Sequence, residues 1–270
     1  VVRATLLEDL GRAGDITTDA IVPPDHRSRL ALGARQDGVV AGLDLARIAF
    51  RLMDPEIEMT VHRPDGARVR AGEAIATLQG PTRGLLTAER TALNLLCRLS
   101  GIATATAGLV EAVRGYRASI VCTRKTTPGL RALEKYAVRA GGGGNHRFGL
   151  DYPILIKDNH VAIAGGIRPA LQRARNHAGH MVKIELEVDS LDQLREAMEI
   201  GVDAVLLDNM GPEMLAEGVE IIAGRAISEA SGRITPETAG AIAASGVDLI
   251  SCGWITHSAA ILDIGFDHLD

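Results

Sequence analysis

A chain of 270 residues with 46% apolar and 23% charged side chains can bury one large core or two modest ones without covalent staples. Its net charge of −5 and aromatic content of 3% exclude a global field for polyanions and the stacking platforms of single-strand binders, so nucleic acid is not an expected partner. The three cysteines, Cys97, Cys122 and Cys252, lie far apart in apolar runs. They exclude a disulfide framework or a CxxC site and fit a reducing cytoplasm.

The opening VVRATLLEDLGRAGD has no cationic segment followed by an apolar one, and no stretch reads as the roughly 18 apolar residues that span a bilayer, so neither secretion nor membrane insertion is expected. These first residues read as the tail of a helix, which predicts a short segment before Val1. Two alternating segments follow, RLALGARQDGVVAG and the hairpin-like EMTVHRPDGARVRAGEAIATLQG, around helices predicted at about 44–53 and 85–99. Together they predict a smaller α+β domain over residues 1–100. The second segment is also like the hairpin of a biotinyl or lipoyl carrier, but it contains no lysine and is read as structural. On the helix at 85–99, Leu86, Leu93, Leu96 and Cys97 form an apolar stripe and Arg90, Asn94 and Arg98 the adjoining polar one. Arg90 is then either a solvated charge or a residue that reaches a site from another domain or subunit.

From about residue 115 the pattern changes to short β-branched runs separated by amphipathic helices: SIVCT at 119–123, YPILI at 152–156, VKIEL at 182–186, AVLL at 204–207, AISEA at 226–230 and DLISC at 248–252. Apolar residues at Ile167, Ala170, Leu171 and Ala174, and again at Leu191, Leu194 and Met198, mark helices that pack one face on a sheet, with Gly201, Pro212 and Pro236 at their ends. This is the rhythm of repeated βα units. It predicts an incomplete parallel α/β barrel of about six strands over residues 101–257, with the tail 258–270 joining the first domain.

Each predicted strand is followed by polar or small residues: Arg124 and Lys125, Lys157, Glu187, Asp208, Ser231 and Gly232, and Gly253. In a barrel these strand ends converge on the face that carries the active site. Any one of them could be a solvated loop charge, whereas six strand ends in register define a site. The cations Arg124, Lys125, His146, Arg147 and Lys157 suit a substrate with several carboxylates or phosphates. Glu187 and Asp208 make sense beside such a substrate if they hold Mg²⁺, grip sugar hydroxyls or stabilise a cationic centre. Ser231, Gly232 and Gly253, with Thr256 and His257 beyond, can seat a phosphate on backbone N–H groups and hydroxyls. The run Gly141 to Gly144 is a turn that lets backbone approach a ligand beside His146 and Arg147. Lys157 or Lys125 could also form a Schiff base, as in barrel aldolases, but the surplus of arginines disfavours that reading.

The blocks TAERTALNLLCRLSGIAT, CTRKTTPGLRALEKYAVRAGGGGNHRFGL, ILIKDNH, IELEVD, LLDNM, EASG and THSAAILDIG make the whole chain resemble quinolinate phosphoribosyltransferases, the decarboxylating enzymes of de novo NAD synthesis. The resemblance implies an open sandwich ahead of an incomplete barrel, a homodimer or higher oligomer, and Arg90 entering the neighbouring subunit's site. It implies pentosyl transfer from phosphoribosyl pyrophosphate to quinolinate with loss of CO₂, and Mg²⁺ bound directly or indirectly by Glu187 and Asp208. By motif, Arg90, Arg124, His146, Arg147 and Lys157 would hold quinolinate. Lys125, Glu187, Asp208, Ser231, Gly232, Gly253 and His257 would line the donor side, with Lys125, Lys157, Glu187 and Asp208 as the catalytic set. Gly144, Phe148 and Cys252 depart from the family pattern without removing a charge. A same-fold transferase acting on nicotinate, a Schiff-base aldolase and a non-catalytic binding barrel remain as rivals.

Overall fold

The computed structural model describes residues 1–268; the last two residues of the tail assigned to the first domain lie outside them. In chain order the elements are α1 (Val2–Leu10), α2 (Ile16–Ile21), β1 (Arg27–Ala34), β2 (Gly38–Val39), α3 (Leu43–Met53), β3 (Glu58–Val61), β4 (Arg68–Val69), β5 (Ala74–Pro81) and α4 (Thr82–Ala112). There follow β6 (Ser119–Val121), α5 (Arg131–Ala140), β7 (Ile154–Ile156), α6 (Asp158–Ala164), α7 (Ile167–His177), β8 (Ile184–Val188), α8 (Leu191–Ile200) and β9 (Ala204–Asp208). The chain closes with α9 (Pro212–Ile222), β10 (Ile227–Ser231), α10 (Pro236–Ala244), β11 (Leu249–Ser251), α11 (Trp254–His257) and β12 (Ile264–His268). Two compact units result: one holds residues 1–107, 127–142 and those from Ser258 on, the other 108–126 and 143–257.

In the first unit an antiparallel sheet runs β12-β1-β5-β3, and β2 pairs separately with β4. The expected hairpin therefore exists as β3 against β5, but its middle section, β4, leaves it to pair with β2. The core gathers Leu32, Phe50, Ile75, Leu78, Leu85, Leu96 and Ile264. Helix α4 is longer than its pattern predicts, at 31 residues. It runs on through Gly101, where the lack of a side chain admits residues 260 and 261: a Cβ there would lie 2.0 Å from the Ala260 carbonyl oxygen. Contrary to the expectation for the whole chain, α4 is long and apolar enough to cross a bilayer, because small Thr, Ser and Gly residues hide the apolar run. However, 61% of its most apolar window is buried, as in a core helix.

The second unit is a six-stranded sheet, β6-β11-β10-β9-β8-β7, parallel at every ladder. All six strands coincide with the β-branched runs. The helices start where the sequence marks them: Ser190 accepts the backbone N–H of Gln193 at the start of α8, Pro212 opens α9, and Thr235 and Thr238 form a reciprocal cap on α10. Beyond β6, Gly144 makes a single parallel bridge to Val121, with Gly144 N–H donating to the Ile120 carbonyl at 2.8 Å and Cys122 N–H to the Gly144 carbonyl at 3.1 Å. The segment that carries His146 and Arg147 is thereby fastened like a rudimentary strand. A Cβ at Gly144 would stand 3.2 Å from Val121 Cγ1, so the departure from an apolar residue matches close contact with β6. All three cysteines are free and buried, and burial pushes the Cys252 thiol up to about 11.

Candidate active site

Side chains alternate along a strand, so residues two apart share a face. At the carboxyl ends of the strands this places Lys157, Glu187, Asp208 and Ser231 on one face of the sheet, Glu187 level with Leu206 and Asp208 level with Ser231 two residues further on, with Thr123 and Gly253 just past β6 and β11. These residues line two cavities in the second unit. The first, of about 360 Å³, takes Arg124, Lys125, His146, Arg147, Lys157, Glu187 and Asp208. The second, of about 310 Å³, takes Lys125, Asp208, Ser231, Gly232, Gly253 and His257. They share Thr123, Lys125, Asp208, Ser231 and Ser251. The barrel thus gathers eleven of the twelve residues named from the sequence. The twelfth, Arg90, belongs to the first unit on α4, with its side chain 65% exposed and Glu89 at 3.8 Å.

The first cavity is cationic and only partly compensated. Lys157 Nζ donates to Glu187 Oε2 at 2.8 Å, which balances one charge. Arg147 donates from Nη1 to the Pro153 carbonyl at 3.0 Å. The Nε groups of Arg124 and Arg147 are buried without a hydrogen-bond partner among the described residues. Burial lowers the Arg147 pKa, the nearby Arg124 charge lowers it further, and Glu185 opposes both. Guanidinium groups so placed suit carboxylates, which accept two parallel N–H bonds.

The second cavity is built on close backbone approach. Gly232 has φ +99°, and a Cβ there would lie 2.2 Å from Asn209 Oδ1; at Gly253 it would lie 2.8 Å from Lys125 Cδ. Only glycine fits at 232, and at 253 a larger residue would displace the Lys125 side chain. Asn209 and Arg233, flanking Asp208 and Gly232, also have positive φ, so both strand ends turn sharply at the cavity. Thr256 Oγ1 donates to the Lys125 carbonyl at 2.7 Å, which fixes the backbone of the shared lysine.

Sequence reasoning missed the layer beneath. Glu185, two residues before Glu187, and Glu229, two before Ser231, are buried at 6% and 1% exposure. Glu229 lines the first cavity. The signal was faint: a carboxylate inside each of two parallel strands, IELEV and ISEAS, where hydrophobic runs are the rule.

A two-chambered pocket at the carboxyl ends of a parallel barrel, with guanidinium groups in one chamber and glycine-lined backbone in the other, defines an α/β-barrel enzyme of multiply anionic substrates. Residues 15–100 match the N-terminal domain of quinolinate phosphoribosyl transferase and residues 102–267 its C-terminal domain. The chain is 45% identical over 261 residues to a probable nicotinate-nucleotide pyrophosphorylase [carboxylating] of Bacillus subtilis, covering 97% of this chain and 90% of that one. It is 39% identical to quinolinate phosphoribosyltransferase [decarboxylating] 2, mitochondrial, of Nicotiana glauca, over 98% of this chain and 80% of the relative. The crystal structure of NadC from Streptococcus pyogenes superposes with a TM-score of 0.94 at 42% identity, covering 100% of this chain and 96% of that one. The chain belongs to the quinolinate phosphoribosyltransferase family, and it is an enzyme.

Proposed function

We propose that the protein transfers the phosphoribosyl group of 5-phosphoribosyl 1-pyrophosphate to quinolinate, giving nicotinate mononucleotide, pyrophosphate and CO₂. The observation that carries this reading is the pair of joined cavities. A transfer between two anions needs one chamber for each and a shared wall where the bond changes hands, and Lys125, Asp208 and Ser231 belong to both. Arg124, Arg147 and Lys157 grip the two carboxylates of quinolinate and aim its ring nitrogen. His146 lies against the same chamber. Gly232, Gly253, Ser231 and His257 seat the donor's phosphate groups.

As the ring nitrogen bonds to the anomeric carbon, the bond to pyrophosphate breaks and its electron pair leaves with the pyrophosphate. The sugar passes through an oxocarbenium-like state, which the carboxylates of Glu187 and Asp208 stabilise while Lys125 stabilises the departing charge. The ring is then a pyridinium. When the 2-carboxylate leaves as CO₂, the electron pair stays on C2 beside the cationic nitrogen until a proton replaces it, so no further electron sink is required.

Mg²⁺ fits the oxygen donors of Glu187 and Asp208. Each carboxylate is already engaged, by Lys157 and by the Asn209 amide at 2.7 Å, which suits a hard cation held through water and substrate. Bound there, it would neutralise pyrophosphate. We further propose a cytoplasmic homodimer, open to higher assembly, in which Arg90 reaches the partner's site; its exposed guanidinium supports this.

The test is to incubate the protein with quinolinate, the donor and Mg²⁺, following CO₂ and nicotinate mononucleotide. Stoichiometric release of both is expected. Turnover with nicotinate but none with quinolinate would replace this reading with that of a nicotinate transferase.

A further inference from the structure

Beneath the arginines lies a buried cluster with no place in the chemistry above. His146 Nε2 stands 2.9 Å from Glu185 Oε2 and 3.7 Å from Glu229 Oε1, and the three ligand atoms lie within 4.8 Å of one another. Arg147 backbone N–H donates to His146 Nδ1 at 2.7 Å. With Nδ1 an acceptor, the ring hydrogen is on Nε2 and is donated to Glu185. Both ring nitrogens are therefore committed inside the protein: one holds the backbone of Arg147, the other is held by β8.

Two buried carboxyl groups this close do not ionise together; the second keeps its proton until the pH is higher. Glu185 accepts the imidazole hydrogen and its charge favours that of Arg147, so the negative charge belongs to Glu185. Glu229 Oε1 has no hydrogen-bond partner among the described residues, as suits an uncharged acid. The groups that act on Glu229 are Glu185 from β8, His146 and, from β11, Ser251; the cavity that Glu229 lines also carries Arg124, Lys125, Arg147, Lys157, Glu187 and Asp208, and β9 places Leu206 beside it. A divalent cation could in principle be held by the same three side chains, but the adjacent charges of Arg124 and Arg147 oppose it.

We propose that Glu185, His146 and Glu229 form a positioning device for Arg147, in which a single buried negative charge anchors the arginine while Glu229, held uncharged, keeps the floor from repelling a dicarboxylate. Glu185 does not line the first cavity and Glu229 forms part of its wall; both act through charge and position, with no part in the bond changes. The inference rests on the quinolinate reading of the first cavity. It predicts a site that weakens for quinolinate, and not for the donor, when the floor gains a second charge. Burial and the Glu185 charge raise Glu229 to about 7, so that second charge arrives in an accessible range.

The experiment is steady-state kinetics of the intact enzyme between about pH 6 and 9, together with infrared difference spectra of the ligand-free protein. In the unsubstituted enzyme, KM for quinolinate should rise above about pH 7 while the donor KM stays level. Glu229→Gln should flatten that rise and remove a protonated-carboxyl band seen at low pH. Glu185→Gln should raise the quinolinate KM about tenfold or more. Adding Glu229→Gln to it should worsen the effect, because Glu229 can no longer ionise in place of its partner. Equal shifts in both substrates' KM, or a pH profile and carboxyl band untouched by Glu229→Gln, would overturn the proposal. So would a Zn²⁺ titration that saturates on these side chains. Failure of the quinolinate reading itself would appear separately, as no turnover by the unsubstituted enzyme, with the infrared result still readable.

Discussion

Gly232 shows how one residue carries both shape and function. Its φ of +99° and the 2.2 Å that a Cβ would leave to Asn209 Oδ1 make Gly232→Ala strained on two counts. We expect it to cost roughly 1–3 kcal/mol of stability in denaturant titrations and to raise KM for the donor with little change for quinolinate. Glu229 has a stability signature of its own. Its pKa lies at about 7 in the folded chain against 4.5 for the ordinary side chain, so between those values the folded state holds more protons and stability falls as pH rises. Unfolding curves of Glu229→Gln and the unsubstituted protein should therefore diverge in favour of the variant from about pH 4.5 to 7, and run parallel above. The strand-end residues were legible because a charge terminating an apolar run is conspicuous. Glu185 and Glu229 were not, because Glu185 sits one alternation from a more obvious acid and Glu229 ends no run, and nothing in a one-dimensional pattern says that two such acids from strands separated by β9 meet over one histidine.

Among the elements, the six barrel strands were readable for a plain reason: buried parallel strands need continuous β-branched runs, and each run ends at a capped helix. Helix α4 was half-read, since its glycines look like breaks until the packing of residues 260 and 261 explains Gly101. Helix α5 hides a tie of similar kind. Glu134, fully buried, accepts from Arg98 Nη2 at 2.9 Å and from the backbone N–H and hydroxyl of Thr127 at 3.0 and 2.7 Å. Arg98 also donates to the Ala259 carbonyl. One carboxylate thus fastens α4, α5 and the loop ahead of α5. Glu134→Ala takes the carboxylate from a half-buried guanidinium that keeps its bond to the Ala259 carbonyl, and removes the acceptor of two Thr127 hydrogen bonds; it should cost about 3 kcal/mol, measurable as a lower denaturant midpoint. From sequence, Arg98 read only as a member of the helix's polar stripe.

At the scale of the whole molecule, the proposal that Arg90 serves a second subunit has a direct measurement. Arg90→Ala and Lys157→Ala should each be inactive alone, and mixed under conditions of proven subunit exchange they should recover activity, because each heterodimer regains one intact site; about a quarter of full activity is expected at equal amounts. No recovery would assign Arg90 to its own chain's site or to the surface. The barrel has a whole-molecule property as well. Its ladder runs from β6 to β7 without joining them among the described residues, and beyond β6 the backbone makes the single bridge between Val121 and Gly144. A closed hoop distributes load around its circumference, whereas a split one opens at the split. The protein should therefore breathe along that line, with the amides of Cys122 and Gly144 exchanging with deuterium sooner than those of the β9–β10 ladder, and the lip that parts is the one bearing the two arginines.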